Sequence, residues 1–234
     1  MHGNDLACYQ AYTAGALWGC PVTELSGTGL IADDLWLLAH SDVSGRPYVQ
    51  PRALGLGLAG GLLSELVLAG ALSVRHDDIA VLARRPPPDE LLGRVLGQVA
   101  AEPAAHPVGE LAYLARTAPA DVAARLERSG YLAQDKGLLP WRGGRWRPTD
   151  RDSAFSPVLR VRAALDASRP LTIHAAMLAG LADACGLWFR LAQYLPALAV
   201  RPVHHAVAQL APGLQELICQ TEAAVDSAVL THRI

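Results

Sequence analysis

The chain has 234 residues, 51% of them hydrophobic and 18% charged, a balance that supplies apolar side chains for a sizeable core and excludes a disordered chain. Its formal net charge of -2 excludes a nucleic-acid partner bound over the whole surface, because phosphate binding shows as an excess of basic residues. Any anion-binding patch is therefore local.

The four cysteines, Cys8, Cys20, Cys185 and Cys219, show no CxxC spacing and read as reduced thiols used as small core residues. The first residues lack a basic start followed by an apolar run, so a cytoplasmic location is expected. Lys136 is the only lysine, which leaves arginine with nearly all the basic work.

In chain order, residues 1–27 read as an irregular segment and residues 28–234 as a single domain. Thr28 is the expected cap of a helix that starts near Leu30 and ends in the run Leu35 to His40. Asp33 and Asp34 fall in its first turn, where the helix dipole favours negative charge. Ser41 to Pro47 is a turn-rich break. An apolar helix is then expected from about Pro51 to Gly70. Between Ala53 and Val74 the only charge is Glu65, long enough to imitate a membrane span. Its glycines and that central carboxylate favour a buried core helix instead.

Gly55 to Gly60 matches G-x-G-x-x-G, but no strand leads into it. The nucleotide reading needs a strand and a tight turn at a helix N-terminus, so these glycines are expected inside the helix, letting neighbours pack close.

Leu72 to Val74 and Ile79 to Ala83 read as a short hairpin. Helices follow from Asp89 to about Ala101, Val108 to Arg116 and Pro119 to Arg128. Tyr131 to Pro148 is glycine-broken, aromatic and basic. Helices return at about 153–167, 171–185, 187–195, 203–211 and 214–231, bounded by Pro170, Gly186, Pro196, Pro202 and Pro212. The expected fold is mainly α: a single globular helical domain around a central buried apolar helix, with short β-hairpins.

Constellations for catalysis are missing. His204 and His205 are sequence neighbours that point apart, whereas helical metal pairs use i, i+4 spacing. Asp33 and Asp34 are explained by their helix start. No serine occupies a nucleophile elbow. No enzyme activity, cofactor or metal is expected.

The basic aromatic stretch is the exception. Lys136, Arg142, Arg145 and Arg147 lie close to Trp141 and Trp146, with Leu138 and Leu139 extending the apolar side. Gly143-Gly144 suits a two-residue turn, which would set Trp141 opposite Trp146 and Arg142 opposite Arg145. Tryptophan beside arginine fits a membrane interface, where indole lies at head-group depth and guanidinium binds phosphate. A hairpin whose tryptophans pack on the body while its arginines are solvated fits equally well.

The run Leu30 to Pro47, followed by Ala53 to Val74, resembles the Golgi phosphoprotein 3 family in its bacterial branch. The shared order is an acidic-start leucine-rich helix, the turn SDVSGRP, and a Gly/Leu/Ala helix ending E-L-x-L-x-G. Arg125 to Leu132 looks like the family's helix-to-hairpin junction. The resemblance implies a helical globule around a buried helix, with a protruding hairpin in the Lys136–Arg147 region. It further implies non-enzymatic, peripheral membrane binding through phosphatidylinositol 4-phosphate. The family's head-group pocket uses one tryptophan and three arginines, which fall at Gln50, Ala59, Arg116 and Pro119. Only Arg116 keeps the family residue, and Arg52 is the candidate substitute.

The leading expectation is a peripheral membrane protein that binds anionic lipid through Arg52 and Arg116. Its membrane hairpin would comprise Lys136, Leu138, Leu139, Trp141, Arg142, Arg145, Trp146 and Arg147. The alternative is a protein-interaction adaptor or a self-assembling scaffold, a homo-oligomer through the same hairpin. A third reading, an enzyme or apolar-ligand carrier, has no residue constellation behind it.

Overall fold

The computed structural model describes residues 28–75, 78–83, 87–102, 105–135, 145–166, 171–192 and 203–230. Helix α1 (Ile31–Ala39) is buried along its whole length, its two aspartates included. Thr28 does not cap it. Leu30 is the N-cap residue, and the Thr28 hydroxyl instead accepts the Leu30 N–H at 3.1 Å and donates to Asp34 at 2.9 Å.

Helix α2 (Pro51–Leu68) follows the turn. Proline is tolerated in its first turn because that N–H has no intrahelical partner, and the chain is buried continuously from Ala53 to Leu66. A helix apolar on every side must be enclosed on every side. It is long and apolar enough to cross a membrane by length and composition, yet 78% of it is buried inside the protein. Gly70, at φ 70°, takes the left-handed conformation that ends the helix.

The G-x-G-x-x-G run lies inside α2. A Cβ at Gly55 would collide with the Ala115 carbonyl oxygen, and one at Gly57 with the Cys185 sulfur. Close helix contact, with no phosphate involved, accounts for these glycines.

Strands β1 (Leu72–Arg75) and β2 (Asp78–Val81) pair antiparallel, Leu72 opposite Val81. Helix α3 (Glu90–Ala101) starts at Asp89, whose carboxylate accepts the Leu92 N–H at 2.8 Å. Helices α4 (Pro107–Leu114) and α5 (Ala118–Arg128) follow, separated by a tight turn. Strands β3 (Leu132–Asp135) and β4 (Arg145–Pro148) form the second antiparallel pair.

Helix α6 (Arg151–Leu165) is capped by Asp150, whose carboxylate accepts the Ser153 N–H. Helix α7 (Ile173–Ala184) is capped by Thr172. The rest of the described chain is α8 (Trp188–Ala192), α9 (Val203–Val207) and α10 (Pro212–Leu230). The expected end of α8, at 195, lies outside the described residues, and α9 stops at Val207, short of the expected 211.

α2 is the hub: α1 and α10 pack most extensively on it, and α4, α5 and α7 also touch it. The resulting core is continuous through leucine, alanine and valine from nearly every element. The architecture is thus mainly helical, around a buried apolar helix, with two short hairpins. Of the cysteines described, Cys185 is buried as expected, but Cys219 is exposed, because its position on α10 faces away from the core; Cys8 and Cys20 lie outside the described residues.

Candidate functional site

The contact between Gly55 and Ala115 has a consequence at the surface. It holds the end of α4 against the first turns of α2, which brings Arg116 into the same groove as Arg52. That groove has a volume of about 640 Å³. α2 contributes Pro51, Arg52 and Leu56; α4 and the turn after it contribute Val108, Ala112, Ala115 and Arg116. Pro119 of α5 and Ala223, Ala224 and Ser227 of α10 close it.

Both arginines are exposed. Among the described residues neither guanidinium has a carboxylate partner. Arg52 also stands in the first turn of α2, where the unpaired backbone N–H groups favour an anion. Two planar, permanently charged donors over a concave floor can hold a phosphate or carboxylate through bidentate hydrogen bonds.

Pro119 lines the same groove. Ala59, the other position aligned with a family arginine, is fully buried inside α2, and Gln50 is the exposed N-cap residue of α2. The lining contributed by α10 was not foreseen. Alanines in a helix carry no chemical signature, and only the packing of α10 on α2 brings them to the groove.

The second hairpin departs from the expected register. Arg145 pairs with Asp135 and Trp146 with Gln134, where the expected register set Arg142 and Trp141 opposite them; Gly143 and Gly144 lie outside the described residues. Trp146 is half-buried and packs against the core. Its backbone carbonyl fills the space a Cβ at Gly45 would need; Gly45, at φ 63°, ties the SDVSGRP turn to this hairpin. Arg147, opposite Ala133, is exposed. Lys136, Leu138, Leu139, Trp141 and Arg142 lie outside the described residues, and of Arg145 only the backbone is described.

A buried ionic network joins α1, α2, α5 and the cap of α3. Arg125 of α5, only 3% exposed, lies 2.7 Å from Asp33, 3.1 Å from Glu65 and 3.3 Å from Asp89. Glu65 also accepts the Ala32 N–H at 2.8 Å, satisfying a donor that the start of α1 leaves open. Burial pushes the Asp33 carboxyl up to about 7, against the pull of the Arg125 guanidinium. Burial raises Glu65 in the same direction. Asp34 turns to different partners, Arg160, His174 at 2.9 Å and the Thr28 hydroxyl.

Helix-start electrostatics therefore explain the two aspartates incompletely: they are the acidic half of two buried ion clusters. The signal was present as Arg125 and Glu65 in apolar surroundings, but pairing across 60 residues cannot be read from spacing. His204 and His205 are both exposed. Among the described residues no group of three or more His, Cys, Asp or Glu side chains could hold a metal ion.

Fold and groove together define a helical protein wrapped on a glycine-rich core helix, with two exposed arginines at one concave surface. The family model described as Golgi phosphoprotein 3 (GPP34) matches residues 31–229, most of the chain, and the chain belongs to that family. No curated protein matches it.

Proposed function

We propose that this chain is a non-enzymatic peripheral membrane protein that docks on anionic phospholipid from the cytoplasmic side. The observation that carries the reading is the meeting of Arg52 and Arg116, far apart in sequence, at one groove where no carboxylate among the described residues neutralises either. An exposed cation that the fold does not consume is available to an external anion. Each basic residue near an anionic leaflet contributes about 1 kcal/mol, so a small set gives weak, reversible docking.

Family membership makes phosphatidylinositol 4-phosphate the candidate head group. The replacement of family pocket residues by Gln50, Ala59 and Pro119 favours general anionic selectivity over that single head group. In this reading Lys136, Trp141 and Arg142 supply further charge and an indole ring for the interface, while Trp146 packs on the core.

Co-sedimentation with vesicles of phosphatidylcholine, phosphatidylcholine with phosphatidylserine, and phosphatidylcholine with phosphatidylinositol 4-phosphate tests it. Binding is expected to both anionic compositions and to be lost with the charge reversals Arg52→Glu and Arg116→Glu. Equal pelleting with neutral and anionic vesicles sinks the reading.

A further inference from the structure

We propose that the groove between α2, α4 and α10 accommodates the acyl chain of a single anionic amphiphile, whose phosphate head rests on Arg52 and Arg116. This deepens the lipid reading and rests on it for the role of the two arginines.

The lining is divided in character. On α4, Val108 and Ala112 succeed one another at i, i+4 spacing and lead to Arg116 one further step along. At 1.5 Å per residue Val108 and Ala112 are about 6 Å apart along the helix. On α2, Arg52 and Leu56 stand in the same relation. Arg52 on α2 and Arg116 in the turn just after α4 therefore each stand next to hydrocarbon of the groove wall. Leu56 is 4% exposed, whereas Val108 is 47% exposed, so the groove runs from a buried floor to an open rim. The methyl groups of Ala112, Ala223 and Ala224 are what leave the space empty.

A bare head group matches this surface poorly. An inositol ring or glycerol phosphate needs hydrogen-bond partners around its hydroxyls, and beyond the guanidiniums the lining offers one side-chain hydroxyl, Ser227. Burying polar groups against alanine and leucine costs free energy, and burying methylenes there gains it. The volume of about 640 Å³ falls within the range of about 300–1,000 Å³ that whole small-molecule ligands occupy. Charge at one part of the groove and apolar length beyond it select an amphiphile.

Titration calorimetry on the full chain tests this with lysophosphatidic acid of short saturated chain, below its micelle concentration. Glycerol phosphate, the same head without the chain, is the comparison. The chain-bearing probe is expected to bind more than about tenfold tighter. Ala112→Trp and Ala223→Trp, both at exposed positions, should each fill the groove and abolish that gain, with thermal melts unchanged. Equal affinity for the two probes, no binding of either, or a gain that survives both tryptophans overturns the inference. Vesicle pelleting separates the two readings. Anionic vesicles bound without any chain-dependent gain leave surface docking standing and remove the groove occupant. Binding of the soluble amphiphile without vesicle binding does the reverse.

Discussion

The Arg125 guanidinium lies 2.7 Å from the Asp33 carboxylate, with the two side chains only 4% and 2% exposed. The same cation serves Glu65 and Asp89, so one residue of α5 ties α1, α2 and the cap of α3 to each other. Removing one partner of a buried pair leaves an uncompensated charge, which costs about 3–5 kcal/mol. Arg125→Met is expected to lose stability on that scale in urea denaturation, and Asp33→Asn in the same background to recover part of it. A loss below about 1 kcal/mol, the scale of surface pairs, would contradict the central role of Arg125.

The raised Asp33 carboxyl fixes a pH dependence. Its ordinary value is 3.8 and its folded value about 7. Below the lower value both states hold the proton. As pH rises, the unfolded chain releases it first, so the stability gained from the protonated folded form is lost progressively up to about 7. His40 acts in the opposite sense: burial lowers it from 6.5 to about 4, so its contribution is present above the unfolded value and is lost as pH falls. Thermal melts through this window should show wild type losing stability relative to Asp33→Asn as pH rises. A wild-type-minus-variant difference that stays flat with pH would count against proton retention by Asp33.

Gly55 and Gly57 face different obstacles, and the difference is measurable. A methyl at Gly55 meets the Ala115 backbone carbonyl, which no rotamer change can move; one at Gly57 meets the Cys185 sulfur. Overpacking of this kind costs about 1–3 kcal/mol. Gly55→Ala and Gly57→Ala should both destabilise. Adding Cys185→Ala should offset the loss only in the Gly57→Ala background, a non-additivity that a double-mutant cycle in urea isolates. Equal rescue of both backgrounds would show that the sulfur is not the obstacle at Gly57.

The sequence made α2 legible because a long apolar run with one carboxylate has few other uses, and the glycines within it mark close packing. Turn and cap residues such as Asp89 and Gly70 marked their elements for the same local reason. Arg52 and Arg116 were singled out from sequence, and the close approach at Gly55 explains how they come to share a groove. The register of the second hairpin was not legible. Gly143-Gly144 is a strong local turn signal, but the pairing of Trp146 with Gln134 is set by half-burying that indole in the core. Nor was the Arg125 network legible, since the partners of a buried charge are chosen by tertiary proximity.

Charge at the groove makes the last prediction quantitative. If Arg52 and Arg116 meet an anionic surface, each contributes about 1 kcal/mol, so alanine at either position should weaken partitioning onto phosphatidylserine vesicles by about fivefold. Because both guanidiniums rest on one phosphate head in the groove, their effects are coupled, so the double variant should depart from the product of the two factors. The losses should shrink as salt rises, because the screening length falls from about 8 Å at physiological ionic strength to about 3 Å at 1 M. Neutral vesicles should not distinguish the variants from wild type. Salt-independent losses, or equal losses on neutral vesicles, would mean that the arginines support the protein's structure and contribute no attraction to the membrane.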